Sequence, residues 1–332
     1  MEAREQGAAM DKRVLGGIMG LAVADALGVP VEFMAREDLA RDPVVGMRSY
    51  GTYNKPIGTW SDDTSMTICL MSSLAKGFDY DEIMRNFLKW YRHGEFTADR
   101  DTFDVGITTR AALERFESGI PALECGGSGE CDNGNGSLMR ILPLVFYLRT
   151  VCGADFQDNS EAFDIIHNVS ALTHAHRRSQ MACGIYLSIA AMILNDAGLG
   201  RAIQLGIHRA AGYYESQPEF AEELVHFSRL KRPDFKRTPR TEISSSGYVV
   251  SSLEAAIWCL LNTHDYAGCV LEAVNLGDDT DTVAAIAGGL AGLAYGYEAI
   301  PPDWLDVLRR REYLESACHE FSQSLMHWDS HI

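Results

Sequence analysis

Residues 277–295 read GDDTDTVAAIAGGLAGLAY. From Thr280 to Tyr295 this stretch is apolar, carries no charge after Asp281, and is punctuated by Gly288, Gly289 and Gly292. A glycine inside a helix costs roughly 0.5–1 kcal/mol relative to alanine, a cost tolerated where helices must approach closely. The stretch therefore predicts a central, tightly packed helix over 280–295, with three aspartates crowded at its start.

Outward from that helix, apolar residues recur at helical spacing over 13–27, 64–76, 80–91, 105–117, 137–148, 160–173, 178–194, 199–214, 250–261, 266–276 and 305–323. Strict alternation of the kind strands need is nearly absent. The fold class expected is all-α, a compact orthogonal multi-helix bundle. Three irregular segments, 48–60, 124–136 and 228–247, carry turn formers instead of an apolar face. None resembles a long linker, and no repeat of fixed period is present. One domain is expected over 12–328, after an N-terminal tail, 1–11.

The 332 residues are 46% apolar and 23% charged, enough for a large core. A net charge of -17 argues against a nucleic-acid-binding surface, which needs clustered Lys and Arg. Eight cysteines, with no C-x-x-C pair, read as reduced core residues of a cytoplasmic protein, although Cys125 and Cys131 share a Gly-rich segment. The start, MEAREQGAAMDKR, lacks the apolar region of a signal peptide. The uncharged run 282–297 is too short to span a bilayer and reads as a buried helix, so no membrane partner is expected.

Acids and hydroxyls gather at two helix starts: Ser61-Asp62-Asp63-Thr64, and Asp278-Asp279-Thr280-Asp281-Thr282. Capping explains one or two of them, since Ser, Thr and Asp accept from free N–H groups and favour the positive end of the helix dipole. It does not explain five carboxylates. Brought together they would repel unless cations sat between them, and an oxygen-only set without nearby Cys or His suits Mg²⁺ or Mn²⁺ better than zinc.

A third segment, Asn133-Gly134-Asn135-Gly136-Ser137, opens a predicted helix, where glycines would let backbone amides approach an anion. It lacks the Gly-Lys-Ser/Thr of a P-loop and the strand context of a dinucleotide fingerprint. A plain Gly/Asn loop fits the residues equally well.

The ordered set of Gly20-Leu21-Ala22-Val23-Ala24-Asp25-Ala26-Leu27-Gly28, Trp60-Ser61-Asp62-Asp63-Thr64, Asn135-Gly136-Ser137-Leu138-Met139-Arg140, Thr173-His174, Gly247-Tyr248-Val249 and Gly277-x-Asp279-x-Asp281-Thr282 resembles the ADP-ribosylglycohydrolases, typified by the dinitrogenase reductase-activating glycohydrolase. The resemblance implies a dimetal site at the mouth of a central cleft, with two Mg²⁺ or Mn²⁺ ions held by Ser61, Asp62, Asp63, Asp279, Asp281 and Thr282. Ser61 stands where the family usually has Thr and supplies the same oxygen. Asp63 and Asp279 are the implied catalytic ligands. Asp104, in Phe103-Asp104-Val105-Gly106, is the general-base candidate, with capping of its own helix as the alternative. Glu32 is a candidate gate over the metals, Asp25 a structural residue, and Asp278 a helix cap or a neighbour of the ligands. Asn135, Gly136, Ser137 and Met139 would cradle diphosphate and ribose. His174 would lie near the nucleotide, and Tyr248, after Gly247, would stack on adenine. Arg140 would either add positive potential there or pair with a buried acid to brace the loop.

The activity implied is release of ADP-ribose from ADP-ribosylated protein, with arginine the expected acceptor and a serine or other O-linked conjugate the alternative. A monomer is expected, with a cognate ADP-ribosyltransferase as a further partner. Two rival readings are weighed against it. A binding or immunity protein would use the same pocket, or the tail 1–11, to sequester modified targets or block a transferase without turnover, but every expected ligand type is retained. A prenyl-diphosphate synthase would need Asp-Asp-x-x-Asp, whereas Asp62-Asp63 is followed by Thr64, Ser65 and Met66.

Overall fold

The computed structural model describes residues 2–328. Among them, fifteen α-helices are joined by 3₁₀ turns and loops, and β pairing is confined to isolated bridges. The all-α reading holds.

Two helices form the axis. Glu2–Gly28 runs antiparallel to Thr280–Tyr295, with Gly16 facing Gly292, Gly20 facing Gly288 and Gly28 facing Asp281. A Cβ on Gly292 would lie 2.0 Å from the Gly16 carbonyl oxygen, and one on Gly20 2.6 Å from that of Gly288. The glycines of the quoted stretch thus let a neighbour approach as expected, and that neighbour answers with glycines of its own. The antiparallel pairing brings the end of the first helix, with Asp25 and Gly28, to the start of the second, with Asp281.

The first helix begins at Glu2, so the stretch read as a tail, 1–11, is helical from that residue. Asp11 accepts a hydrogen bond from Ser322 Oγ at 2.5 Å on the Arg311–Trp328 helix. Gly7–Val31 is long and apolar enough to cross a membrane, but its most apolar window is 94% buried inside the protein. The run from Thr280 to Leu293 is buried, as predicted.

Two predicted helices are corrected. The segment expected over 137–148 is helical only over Pro143–Cys152, and Gly136 to Arg140 form turns instead. Pro143 has no N–H, and in a continuing helix its ring would clash with the Met139 carbonyl, so the helix starts afresh at the proline. The helix expected over 305–323 is split into Pro302–Val307 and Arg311–Trp328. At the break Arg309 N–H donates to the Gly58 carbonyl and Arg310, at φ +49°, donates from Nη1 to the Thr97 carbonyl. The interruption ties down the loops that lead to the site. All eight cysteines are free, with Cys125 buried and Cys131 exposed.

Candidate metal centre and nucleotide loop

The two acid-rich segments, far apart in sequence, converge. Thr282 Oγ1 donates to Asp63 Oδ2 at 3.2 Å, and Ser61 Oγ donates to the same oxygen at 3.0 Å. Carboxylate oxygens of Asp25, Asp63 and Asp281 lie within 4.8 Å of one another, as do those of Glu32, Asp104 and Asp281. Asp281 is common to both groups, so the cluster is two overlapping sets, not one.

Capping accounts for little of it. Ser61 is the N-cap of Asp62–Lys76, accepting from Asp63 N–H. Asp25 completes that helix start: its carboxylate accepts from the N–H groups of Ser61 and Thr64 and from Thr64 Oγ1, which fits the structural role expected of it. Asp279 holds the N-cap position of Thr280–Tyr295 but makes no capping bond; its Oδ2 accepts from Asn135 Nδ2 at 2.8 Å. Asp104 does not cap either, because Gly106 is the N-cap of Ile107–Glu117. At φ +54° it instead accepts from the Tyr53 hydroxyl at 2.7 Å.

Burial and mutual repulsion raise the proton affinity of the whole set. Asp62, Asp63 and Asp281 are pushed well above the usual carboxylate range, first by burial and then by neighbouring carboxylates. Burial together with Asp104 and Asp279 takes Glu32 to about 9. Burial outweighs the hydrogen bonds on Asp25, and burial with the nearby Asp104 carboxylate does so on Asp279, and both rise to about 6. Four buried oxygens, Glu32 Oε2, Asp63 Oδ1, Asp279 Oδ1 and Asp281 Oδ2, have no hydrogen-bond partner. Each such orphan costs about 1–3 kcal/mol or more. A purely oxygen donor set with orphaned atoms on both acid segments fits hard divalent cations, and Ser61, Asp62, Asp63, Asp279, Asp281 and Thr282 could hold them.

Beside the acids lies the glycine loop. Asn135 N–H donates to the Gly247 carbonyl and Val249 N–H to that of Asn133, which staples 133–135 to 247–249. Asn135 also donates to Ser252 Oγ, so one amide joins the loop, the Val249–Asn262 helix and Asp279. Gly136 sits over His174, and a Cβ there would lie 2.8 Å from Cε1 of the ring. A Cβ on Gly247 would lie 3.1 Å from Asp279 Oδ2. The His174 imidazole is buried, its Nδ1 is 2.7 Å from Thr173 Oγ1, and burial beside Arg140 depresses its pKa to about 3.

The ADP-ribosylglycohydrolase family model matches residues 6–330. The chain belongs to this family. It is 33% identical to ADP-ribosylarginine hydrolase Tri1 of Serratia proteamaculans, over 92% of this chain and 77% of that protein. It is 31% identical to ADP-ribosyl-[dinitrogen reductase] glycohydrolase of Rhodospirillum rubrum, over 91% and 92% of the two chains. A solved structure described as an ADP-ribosylglycohydrolase-related protein complex superposes with a TM-score of 0.75 at 30% identity, covering 95% of this chain and 98% of that one.

The remaining candidate residues of this ADP-ribosylglycohydrolase differ in exposure and partners. Asp278 is exposed at φ +63°, away from the cluster, and lines a separate cleft with Phe33 and Arg36. Arg140 is fully buried and pairs with no acid among the described residues; it braces the turn by donating to the Gly136 and Val169 carbonyls and lies over the Phe87 ring. Ser137 and Met139 are buried, the former hydrogen-bonded to Ser170, so their side chains serve the core. Tyr248 is half-buried and its hydroxyl accepts from Arg178, which also pairs with Glu223.

Sequence reading of the glycohydrolase missed Tyr53, Ser252 and Arg178. Tyr53 and Ser252 lie in stretches with no distinguishing pattern. Arg178, four residues after His174, stands at a helix start with no local pattern that marks it. A cavity of about 730 Å³ between Ile203, Leu230, Phe235 and Leu260 contains none of the site residues.

Proposed function

We propose that this glycohydrolase releases ADP-ribose from arginine side chains of modified proteins and uses two divalent cations, Mg²⁺ or Mn²⁺. The observation that carries the reading is the convergence of the two acid segments, Thr282 Oγ1 meeting Asp63 Oδ2 beside Asp281, with Asp63 Oδ1, Asp279 Oδ1 and Asp281 Oδ2 left without a partner. Asp281, which lies in both carboxylate groups, would be the ligand common to two cations. Relatives named for arginine hydrolysis support arginine as acceptor, and one named for a dinitrogen reductase conjugate supports a modified protein as substrate.

The chain's own residues divide the work. Ser61, Asp62 and Asp63 on one helix, with Asp279, Asp281 and Thr282 on the other, would hold the cations. Bound there, such cations orient sugar hydroxyls and lower the pKa of water. Asn135 and the glycine turn would hold the diphosphate end, with Gly136 over His174 keeping the floor flat. Tyr248, fixed by Arg178, would flank the adenine. Asp104, with Oδ1 held by Tyr53 and its proton affinity raised by burial, would accept a proton from the attacking water. Glu32, over the metal side, would gate access.

Release of free ADP-ribose should be followed from arginine-linked and serine-linked protein conjugates, with Mg²⁺, with Mn²⁺ and with chelator. Metal-dependent release from the arginine conjugate alone is the expected result. Release from serine alone would move the substrate, and metal-independent binding without turnover would favour a sequestering protein.

A further inference from the structure

Five of the eight large apolar side chains exposed among the described residues, Phe33, Val45, Tyr50, Ile57 and Ile107, fall within 33–57 or at 107. That is a small part of the chain, yet it is the part that frames the acid cluster. Three of the five sit directly on the frame. Phe33, 66% exposed, follows Glu32. Tyr50, 60% exposed, begins the turn Gly51–Tyr53, which packs on the Glu32 strap: Thr52 Oγ1 donates to the Glu32 carbonyl and Tyr53 reaches Asp104. Ile107, 88% exposed, opens the helix just after Asp104.

Phe33 and Tyr50 are held outward by rigid local structure. Phe33 and Asp278 both have positive φ and are locked together, Phe33 N–H donating to the Asp278 carbonyl at 2.7 Å and Asp278 N–H to the Met34 carbonyl at 2.9 Å. Positive φ in a bulky residue is strained and persists only where its surroundings enforce it. Tyr50 has φ +67° and is bridged to Lys55, whose ammonium is fixed by Asp99 and Asp101.

The Phe33 side of the rim is also acidic. Phe33 shares a cleft of about 540 Å³ with Glu37, Glu242 and Asp278, none of which has a salt-bridge partner among the described residues. The cleft's one cation, Arg36, is spent on the carbonyls of Leu276, Arg240 and Ile243. An exposed apolar rim beside unpaired carboxylates matches a folded surface that offers apolar contacts and basic side chains.

We infer that Phe33, Tyr50 and Ile107, with the neighbouring acidic cleft, form a docking surface for a folded protein whose basic patch carries the modified arginine. This rests on the reading that the substrate is an ADP-ribosylated protein. The rim contributes to capture of the protein body and not to handling of the ADP-ribose.

The test compares an arginine-ADP-ribosylated protein with the ADP-ribosyl-arginine amino acid as substrates for Ile107→Glu, Tyr50→Ser and the double variant. For the double variant, KM on the protein conjugate should rise at least tenfold, with kcat little changed and the amino-acid conjugate affected less than twofold. Equal losses on both substrates, or no loss on either, would overturn the inference. Equilibrium binding of the modified protein and of free ADP-ribose to each variant gives a second readout. If the wild type turned over neither substrate, the arginine-hydrolase reading would fail, while a selective loss of protein binding would still support the rim and an unchanged affinity would sink it.

Discussion

Thr282 Oγ1 donates to Asp63 Oδ2 at 3.2 Å, linking two acid segments whose joined residues stand 219 positions apart in the sequence. The link exists because the glycine-paired helices deliver one segment and the Asp25-capped helix the other. Each side thus brings acids that repel until something positive lies between them.

Asp63→Asn should abolish turnover, by 10³-fold or more, while raising the melting temperature of metal-free protein. The amide is isosteric and removes one of the crowded buried carboxylates. Thermal melts with and without Mn²⁺ check it: the variant should gain in metal-free stability and lose most of the metal-induced rise. A lower metal-free melting temperature would mean that repulsion does not dominate the cluster.

Gly28→Ala tests the axis. Its Cβ would lie 2.4 Å from Asp281 Cα, so the helices must separate where the ligands stand. Overpacking of this kind costs about 1–3 kcal/mol. Gly119→Ala, where a Cβ has open space but φ is +96°, is a control for backbone strain alone. Mn²⁺ affinity should fall in Gly28→Ala and stay unchanged in Gly119→Ala, as read by calorimetry.

Gly136→Ala should weaken ADP-ribose binding about tenfold, because the methyl group strikes the His174 ring. The double variant Gly136→Ala with His174→Ala should recover part of that loss. A double-mutant cycle on ADP-ribose affinity measures the coupling. Strict additivity would place the glycine's role elsewhere.

How much of this was legible in sequence depends on the kind of constraint. The quoted stretch announced its helix and its close packing, because glycines in an apolar helix are costly without a tight neighbour. Spacing flagged both acid segments, and the ordered motifs resembled the family, since the chemistry fixes those residue types locally. The helix expected at 137–148 failed because periodicity weighed more than Pro143, and the one at 305–323 because nothing local shows that Arg309 and Arg310 leave the helix to bind distant carbonyls. Tyr53 was invisible for the same reason: its role is created by where Asp104 lands.

A pH effect follows from His167, which is buried with Nε2 3.0 Å from the Tyr214 hydroxyl and whose pKa burial lowers to about 3. The unfolded chain takes up this proton near pH 6.5 while the folded chain refuses it, so stability present above 6.5 is lost as pH falls. Relative to His167→Gln, the wild type should lose roughly 1.4 kcal/mol per pH unit between about 6.5 and 3, and nothing above. Urea unfolding of both proteins at pH 7.5, 5.5 and 4.5 reads the difference. A constant gap would show that the imidazole titrates normally in the fold.

The most direct measurement is an Mn²⁺ titration of wild type and Asp281→Asn, with release of ADP-ribose from an arginine conjugate followed on the same samples. We expect two ions per wild-type chain, activity that rises with their binding, and loss of both sites' occupancy or affinity together with activity when the shared carboxylate is neutralised. Full metal binding and turnover in Asp281→Asn, or turnover by wild type in chelator, would contradict the assignment of this cluster as the catalytic centre.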